Sequence, residues 1–177
     1  MVVALAGRRI DAPDAKTSRF APQHESIVAA RLRQYFQEQD ATALVCSAAC
    51  GADLLALEVA GELNLQRCIV LPFPPARFRE TSVIDRPGDW GERYDHVLAE
   101  VQDVSVLNYP EDDPATYVLT NEAILDSAIA LGKETHRPVV AAVVWDGRSR
   151  GPDDVTAQFL EKARARFGRV AEIGTRP

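Results

Sequence analysis

Apolar and polar positions along this chain change period again and again, from short unbroken apolar runs to apolar residues spaced three and four apart. The first run, "VVALAG" (2–7), reads as a buried strand ended by Gly7. Residues 22–39, "PQHESIVAARLRQYFQEQ", place Val28, Leu32, Tyr35 and Phe36 at helical spacing, with Pro22 suited to a first turn. "TALVCS" (42–47) is a second strand, and "SAACGADLLALEVAGEL" (47–63) is a turn running into a second helix. The third strand, "QRCIVLPF" (66–73), is stopped by prolines at 72, 74 and 75, and a short helix, "ARFRETSV", follows. Beyond the loop "IDRPGDW" (84–90) come a helix through "ERYDHVLAEVQ", a strand "DVSVLNY" (103–109) and an irregular acidic segment, "PEDDPA". Helix 116–134 carries Val118, Ala123, Ile124, Ala128 and Leu131 along one side. "RPVVAAVVWDG" (137–147) is the near-continuous apolar run of a strand buried on both faces of a parallel sheet. A helix at about 153–167 and a short strand, "RVAEIG" (169–174), complete the alternation.

About six strands separated by helices, with no hairpin signals and no repeats, predict a single α/β domain over residues 1–177. Its sheet is doubly wound and mainly parallel, and right-handed crossovers put helices on both faces. Ligands of such sheets bind beyond the carboxyl ends of the strands, where strand order reverses. That rule singles out the loops Gly7–Asp11, Ser47–Asp53, Pro72–Ser82, Asn108–Asn121 and Trp145–Asp154.

Composition narrows the partners. A net charge of −6 argues against a nucleic-acid partner, since a phosphate polymer needs a basic face. No run of 18 apolar residues exists to span a bilayer, and "MVVALAGRRID" reads as a strand rather than a signal peptide. Cys46, Cys50 and Cys68 are an odd number in a chain able to fold without disulfides, so a cytoplasmic location and core filling are expected. Neither they nor His24, His96 and His136 have metal or triad spacing.

The strand-end loops hold the candidate chemistry. Ser47, Gly51 and the amides of Ala52 and Asp53 stand at a helix start, where free N–H groups and the helix dipole attract anions. Ala52, Ala56 and Ala60 also make a small face for close packing. Asp53 repels a phosphate but accepts from sugar hydroxyls, unless it only pairs with the helix dipole; Glu58 is expected in solvent. Arg8 and Arg9 follow a strand-ending glycine, so one of them is placed to reach a phosphate or to pair with Asp11. Phe73 and Phe78 are placed either to flank a flat ring or to fill the core, with Arg77 and Arg79 adding charge. Asn121 offers an amide for a base or sugar, and Asp146 lies at the sheet's carboxyl edge. Glu122 and Asp126, four apart on one helix face, are either paired acid–base carboxylates or a solvated face.

Taken in order, "AGRRI", "SAACGADLLALEVA", "LPFPPARFRETSV" and "VVAAVVWDG" resemble the SLOG superfamily, the Smf/DprA and LOG group of Rossmann-like domains, over nearly the whole chain. The likeness is closest to the branch regarded as sensors of nucleotides or nucleotide-derived ligands. By position it implies a ligand pocket built from Gly7, Arg8, Ser47, Gly51, Asp53, Phe73, Asn121, Asp146 and Gly147. The enzymatic LOG branch carries a "PGGxGTxxE" loop with a catalytic Glu. Here "DGRSRGPDDVTAQF" has neither the paired glycines nor a matching Glu, which argues against that reaction. Smf/DprA proteins bind single-stranded DNA, which the acidic balance does not favour here.

The function expected from the sequence is therefore binding and sensing of a nucleotide-type small molecule without turnover, with no cofactor required. An enzyme acting on an N-glycosidic bond through Asp53, Glu122, Asp126 or Asp146 is the alternative. A sensor calls for an effector domain or operon partner, and a homo-oligomer is compatible with it.

Overall fold

The computed structural model describes residues 1–177. Six strands, β1 (Val2–Gly7), β2 (Ala43–Cys46), β3 (Gln66–Leu71), β4 (Asp103–Val106), β5 (Val139–Trp145) and β6 (Val170–Gly174), form one sheet in the order β4-β3-β2-β1-β5-β6. Every pairing is parallel, so the expected mainly parallel sheet is wholly so. The helices are α1 (Glu25–Glu38), α2 (Ala52–Glu62), α3 (Pro75–Ser82), α4 (Trp90–Glu100), α5 (Thr116–Glu134) and α6 (Val155–Phe167). A short 3-10 turn at Pro22–His24 precedes α1, so the helix expected from residue 22 becomes regular only at Glu25.

Alternation within β1 divides the core. Val3 and Leu5 join α1, α2 and α4 on one face, where Leu32, Phe36, Leu54, Trp90 and Tyr94 pack. Val2, Ala4 and Ala6 turn to the other face, against Ile124, Leu125, Phe159 and Leu160 of α5 and α6. Helix α2 is buried almost all round because α1 and α4 flank it while the sheet lies beneath. Its apolar residues therefore lack the one-sided stripe of a surface helix.

From β1 the chain steps outward to β4, then returns through α5 to β5 and β6 on the opposite side. The order of strands thus reverses between β1 and β5, which pair from Val2–Val139 through Gly7–Val144. Their carboxyl ends open the crevice that a doubly wound sheet reserves for a ligand. The turn after β2 is shaped to serve that crevice. Gly51 has φ +96°, and a Cβ there would lie 2.6 Å from Ile10 N and 2.8 Å from Arg8 O. Glycine is the residue that lets the β1 loop dock on the start of α2. No helix is long and apolar enough to cross a membrane.

Candidate functional site

A cleft of about 540 Å³ opens at the β1/β5 reversal. Gly7, Ser47 and Asp53 line it from the sheet side, Phe78 and Ser82 from α3, and Tyr117, Thr120, Asn121 and Ile124 from α5. Arg9, Ile10, Arg86 and Arg150 line it from loops.

Of the nine residues implied by the sequence, Gly7, Arg8, Ser47, Asp53 and Asn121 line the cleft. The other four do not. Gly51 is walled off by the Arg8–Ile10 backbone it supports. Phe73 is buried behind Phe78 and Tyr117, with ring centroids 5.9 and 6.3 Å away, so it positions those two rings and does not flank a ligand itself. Asp146 and Gly147 border a separate shallow depression beside β6.

Three amides of the α2 turn, those of Ala49, Cys50 and Ala52, have protein partners. Ala52 N donates to Arg8 O at 3.0 Å, Cys50 N to Ser82 O at 3.1 Å and Ala49 N to Asp53 Oδ2 at 3.3 Å. This turn clamps two loops, which corrects the expectation that the Ala52 amide meets an anion.

Arg8 is also committed. Its guanidinium donates to Asp154 Oδ1 and Oδ2 at 2.6 and 2.7 Å, to Arg148 O at 2.7 Å and to Asp146 Oδ1 at 3.2 Å. Asp154 is the N-cap of α6, accepting from the Thr156 and Ala157 amides, and it accepts from Arg150 N as well. Burial pushes the Asp154 carboxyl up, but hydrogen bonds from Arg8 and Arg150 outweigh it and hold the group well below the usual carboxylate range. Asp146 accepts from Arg8 and Arg19, so it anchors two loops instead of meeting a ligand. The expected pairing of Arg8 or Arg9 with Asp11 does not form. Asp11 accepts from the Arg19 and Phe20 amides and from Ser18 Oγ.

Four buried side-chain polar atoms have no hydrogen-bond partner in the protein: Arg9 Nε, Ser47 Oγ, Asp53 Oδ1 and Arg86 Nε. All four belong to residues lining this one cleft. An unsatisfied buried polar group costs roughly 1–3 kcal/mol, so four of them on one cleft make it the candidate site. Burial pushes the Asp53 carboxyl up to about 7, only partly offset by the Ala49 amide and by Arg9. Asn121 Nδ2 donates to Val155 O at 3.0 Å, which fixes its amide across to the α6 side.

The remaining carboxylates stand elsewhere. Glu122 and Asp126 pair with Lys162 and Arg166 on the α5–α6 surface. Glu58, expected in solvent, instead accepts two hydrogen bonds from Arg93 at 2.7 and 2.6 Å. Arg77 and Arg79 are paired on the surface with Glu80, Glu111 and Asp95. The three cysteines are free and buried, and no group of three or more His, Cys, Asp or Glu side chains is placed to hold a metal ion.

Sequence reasoning missed Arg86, Ser82, Tyr117, Thr120, Thr156 and the anchor Asp154. Only Asp154 had a local signal, an acidic residue just before a helix in N-cap position. Arg86 sits in a Pro-Gly loop, where no periodicity says which way a side chain points.

No family model matches the chain, and no curated protein matches it significantly. Among solved structures it aligns with DNA processing protein A from Helicobacter pylori, a protein studied for its single-stranded DNA binding mode. The two share 15% identity over 97% of this chain and 74% of that one, with a TM-score of 0.44, a distant likeness from which no ligand of this chain follows.

Proposed function

We propose that this domain binds a nucleotide or nucleotide-derived small molecule in the β1/β5 cleft and senses it without turning it over. The convergence of all four unpartnered buried polar atoms on one cleft carries this reading. Two are guanidinium donors that suit an anionic group; the carboxylate oxygen suits a ligand hydroxyl, and the Ser47 hydroxyl serves either role. Apolar walls from Ile10, Phe78, Tyr117 and Ile124 suit a flat ring beside those groups. The motif likeness to the ligand-sensing SLOG branch points the same way. An effector domain, an operon partner or a second copy of the chain would read the bound state.

Thermal denaturation against a panel of mono-, di- and cyclic nucleotides tests the proposal. A ligand present at 100 times its Kd stabilises by about 2.7 kcal/mol, and silence across the panel sinks the idea. A single-stranded oligonucleotide belongs in the panel as the polymer comparison.

One observation favours a second reading, an enzyme acting on an N-glycosidic bond. Of the four carboxylates the sequence offered for it, Asp53 alone lines the cleft, and its carboxyl titrates near neutrality as a general acid or base requires. Incubation with nucleotides followed by chromatography separates the two readings, because free base appears only for the enzyme.

A further inference from the structure

We propose that Arg9 and Arg86 form the anion subsite of this cleft, and that Asp85, held between them, is an internal carboxylate competing with the anionic group of the ligand. The proposal rests on the cleft being a nucleotide-type site and adds which residues take the phosphate and what sets their affinity for it.

Arg9 comes from the β1 loop and Arg86 from the loop between α3 and α4, and both line the cleft. One carboxylate bridges them. Asp85 Oδ1 is ion-paired with Arg9 Nη2, and Asp85 Oδ2 lies 3.2 Å from Arg86 Nη1. A guanidinium has five N–H donors, and Asp85 uses a fraction of them. The Nε atoms of both arginines are buried without a partner. The subsite therefore already accommodates one anionic group and retains donors for another.

Availability separates this pair from the other arginines. Arg8 is 3% exposed and locked by two fully buried aspartates. Arg9, Arg86 and Asp85 are 30%, 27% and 32% exposed, and an ion pair within reach of solvent is worth less than a buried one, so a phosphate can exchange for it. Asp53 and the neutral Cys50 thiol are the other titratable groups within reach of Arg9. An acceptor for sugar hydroxyls thus stands next to the anion subsite, as the phosphate and sugar of one nucleotide require.

Isothermal titration with inorganic pyrophosphate at fixed ionic strength tests the proposal. Asp85→Asn should tighten binding on the order of tenfold, and Arg9→Gln or Arg86→Gln should each weaken it on the order of tenfold. The double variant Asp85→Asn with Arg9→Gln should lose the gain, since the two side chains act on one site. Arg9→Lys and Arg86→Lys, which keep the charge, guard against loss of folding and should retain part of the affinity. Unchanged or weaker binding by Asp85→Asn overturns the proposal, as does indifference to both glutamine substitutions or absence of pyrophosphate binding in wild type and Asp85→Asn alike. Nucleosides run in parallel keep the two claims apart. If nucleosides bind as well as nucleotides while pyrophosphate does not, the subsite falls and the cleft stands. If Asp85→Asn tightens pyrophosphate but no nucleoside or nucleotide binds, the subsite stands and the nucleotide reading falls.

Discussion

Arg8 and Asp154 lie 146 residues apart in the chain and meet through two buried hydrogen bonds of 2.6 and 2.7 Å. Because Asp154 also caps α6, this contact ties the end of β1 to the start of the helix after β5. The two sides of the strand-order reversal are thereby held in register, and the cleft between them keeps its shape. A buried pair of this sort adds little net stability, but removing one partner strands a charge.

Asp154→Ala should accordingly destabilise the fold by about 3–5 kcal/mol, leaving Arg8 under-compensated and α6 uncapped. Asp154→Asn, which retains a cap oxygen, should fall between. Chemical denaturation of the three proteins checks the order. The pH dependence has a definite sign. The folded carboxyl titrates below its unfolded value of about 3.9, so its stabilising contribution is complete above that pH and disappears as the pH falls. The acid limb of wild-type stability below about pH 4 should be steeper than that of Asp154→Asn.

Asp53 has the opposite sign. Its folded carboxyl is pushed up to about 7, so the folded state holds a proton that the unfolded chain releases near pH 4, and stability falls as pH rises between the two. Asp53→Asn should remove that slope and stabilise the protein by about 1–3 kcal/mol at pH 8 while changing little at pH 4. Thermal melts at the two pH values measure it. A ligand whose hydroxyls donate to Asp53 favours the ionised form, so binding should release a proton near pH 7. Calorimetry in buffers of different ionisation enthalpy reads that release directly.

Ser47→Ala separates ligand binding from folding. The Ser47 hydroxyl is buried with no protein partner, so deleting it should leave the free protein unchanged or up to about 1 kcal/mol more stable. The same change should weaken any nucleotide-type ligand several-fold. A variant that loses stability instead would show that the hydroxyl serves the fold.

Two glycines of positive φ should respond very differently to alanine. Gly51 has φ +96° and would bring its Cβ within 2.6 Å of the Ile10 amide nitrogen, whereas at Gly147, φ +76°, nothing lies within 4 Å. Gly147→Ala should therefore lose only about 1 kcal/mol of backbone strain, and Gly51→Ala distinctly more, with impaired ligand binding as the Arg8–Ile10 loop shifts. Denaturant midpoints of the two variants decide it.

The alternation of periods in the sequence was enough to place all six strands and every helix, and to make the sheet doubly wound, because these follow from burial repeated along neighbouring residues. Their ends were less legible: β4 stops at Val106, not residue 109, and α4 begins at Trp90, inside the stretch whose sequence reads as a loop. Ends depend on hydrogen bonds made by the flanking loops, not on period. The strand-order rule pointed to the edge of the sheet where this cleft opens, and Gly7, Arg8, Ser47, Asp53 and Asn121 line it.

Which arginine is partly exposed and which is locked in the interior was decided only by the tertiary structure. Arg8 and Arg9 are adjacent and chemically identical, yet one points to Asp154 and Asp146 and the other to Asp85. Those aspartates lie 76 to 146 residues away, so no local pattern could assign them. By itself the sequence determined the sheet and the edge at which chemistry would gather, since both arise from short-range burial and chain order. The three-dimensional packing of distant loops decided which polar groups are satisfied within the protein and which four are not.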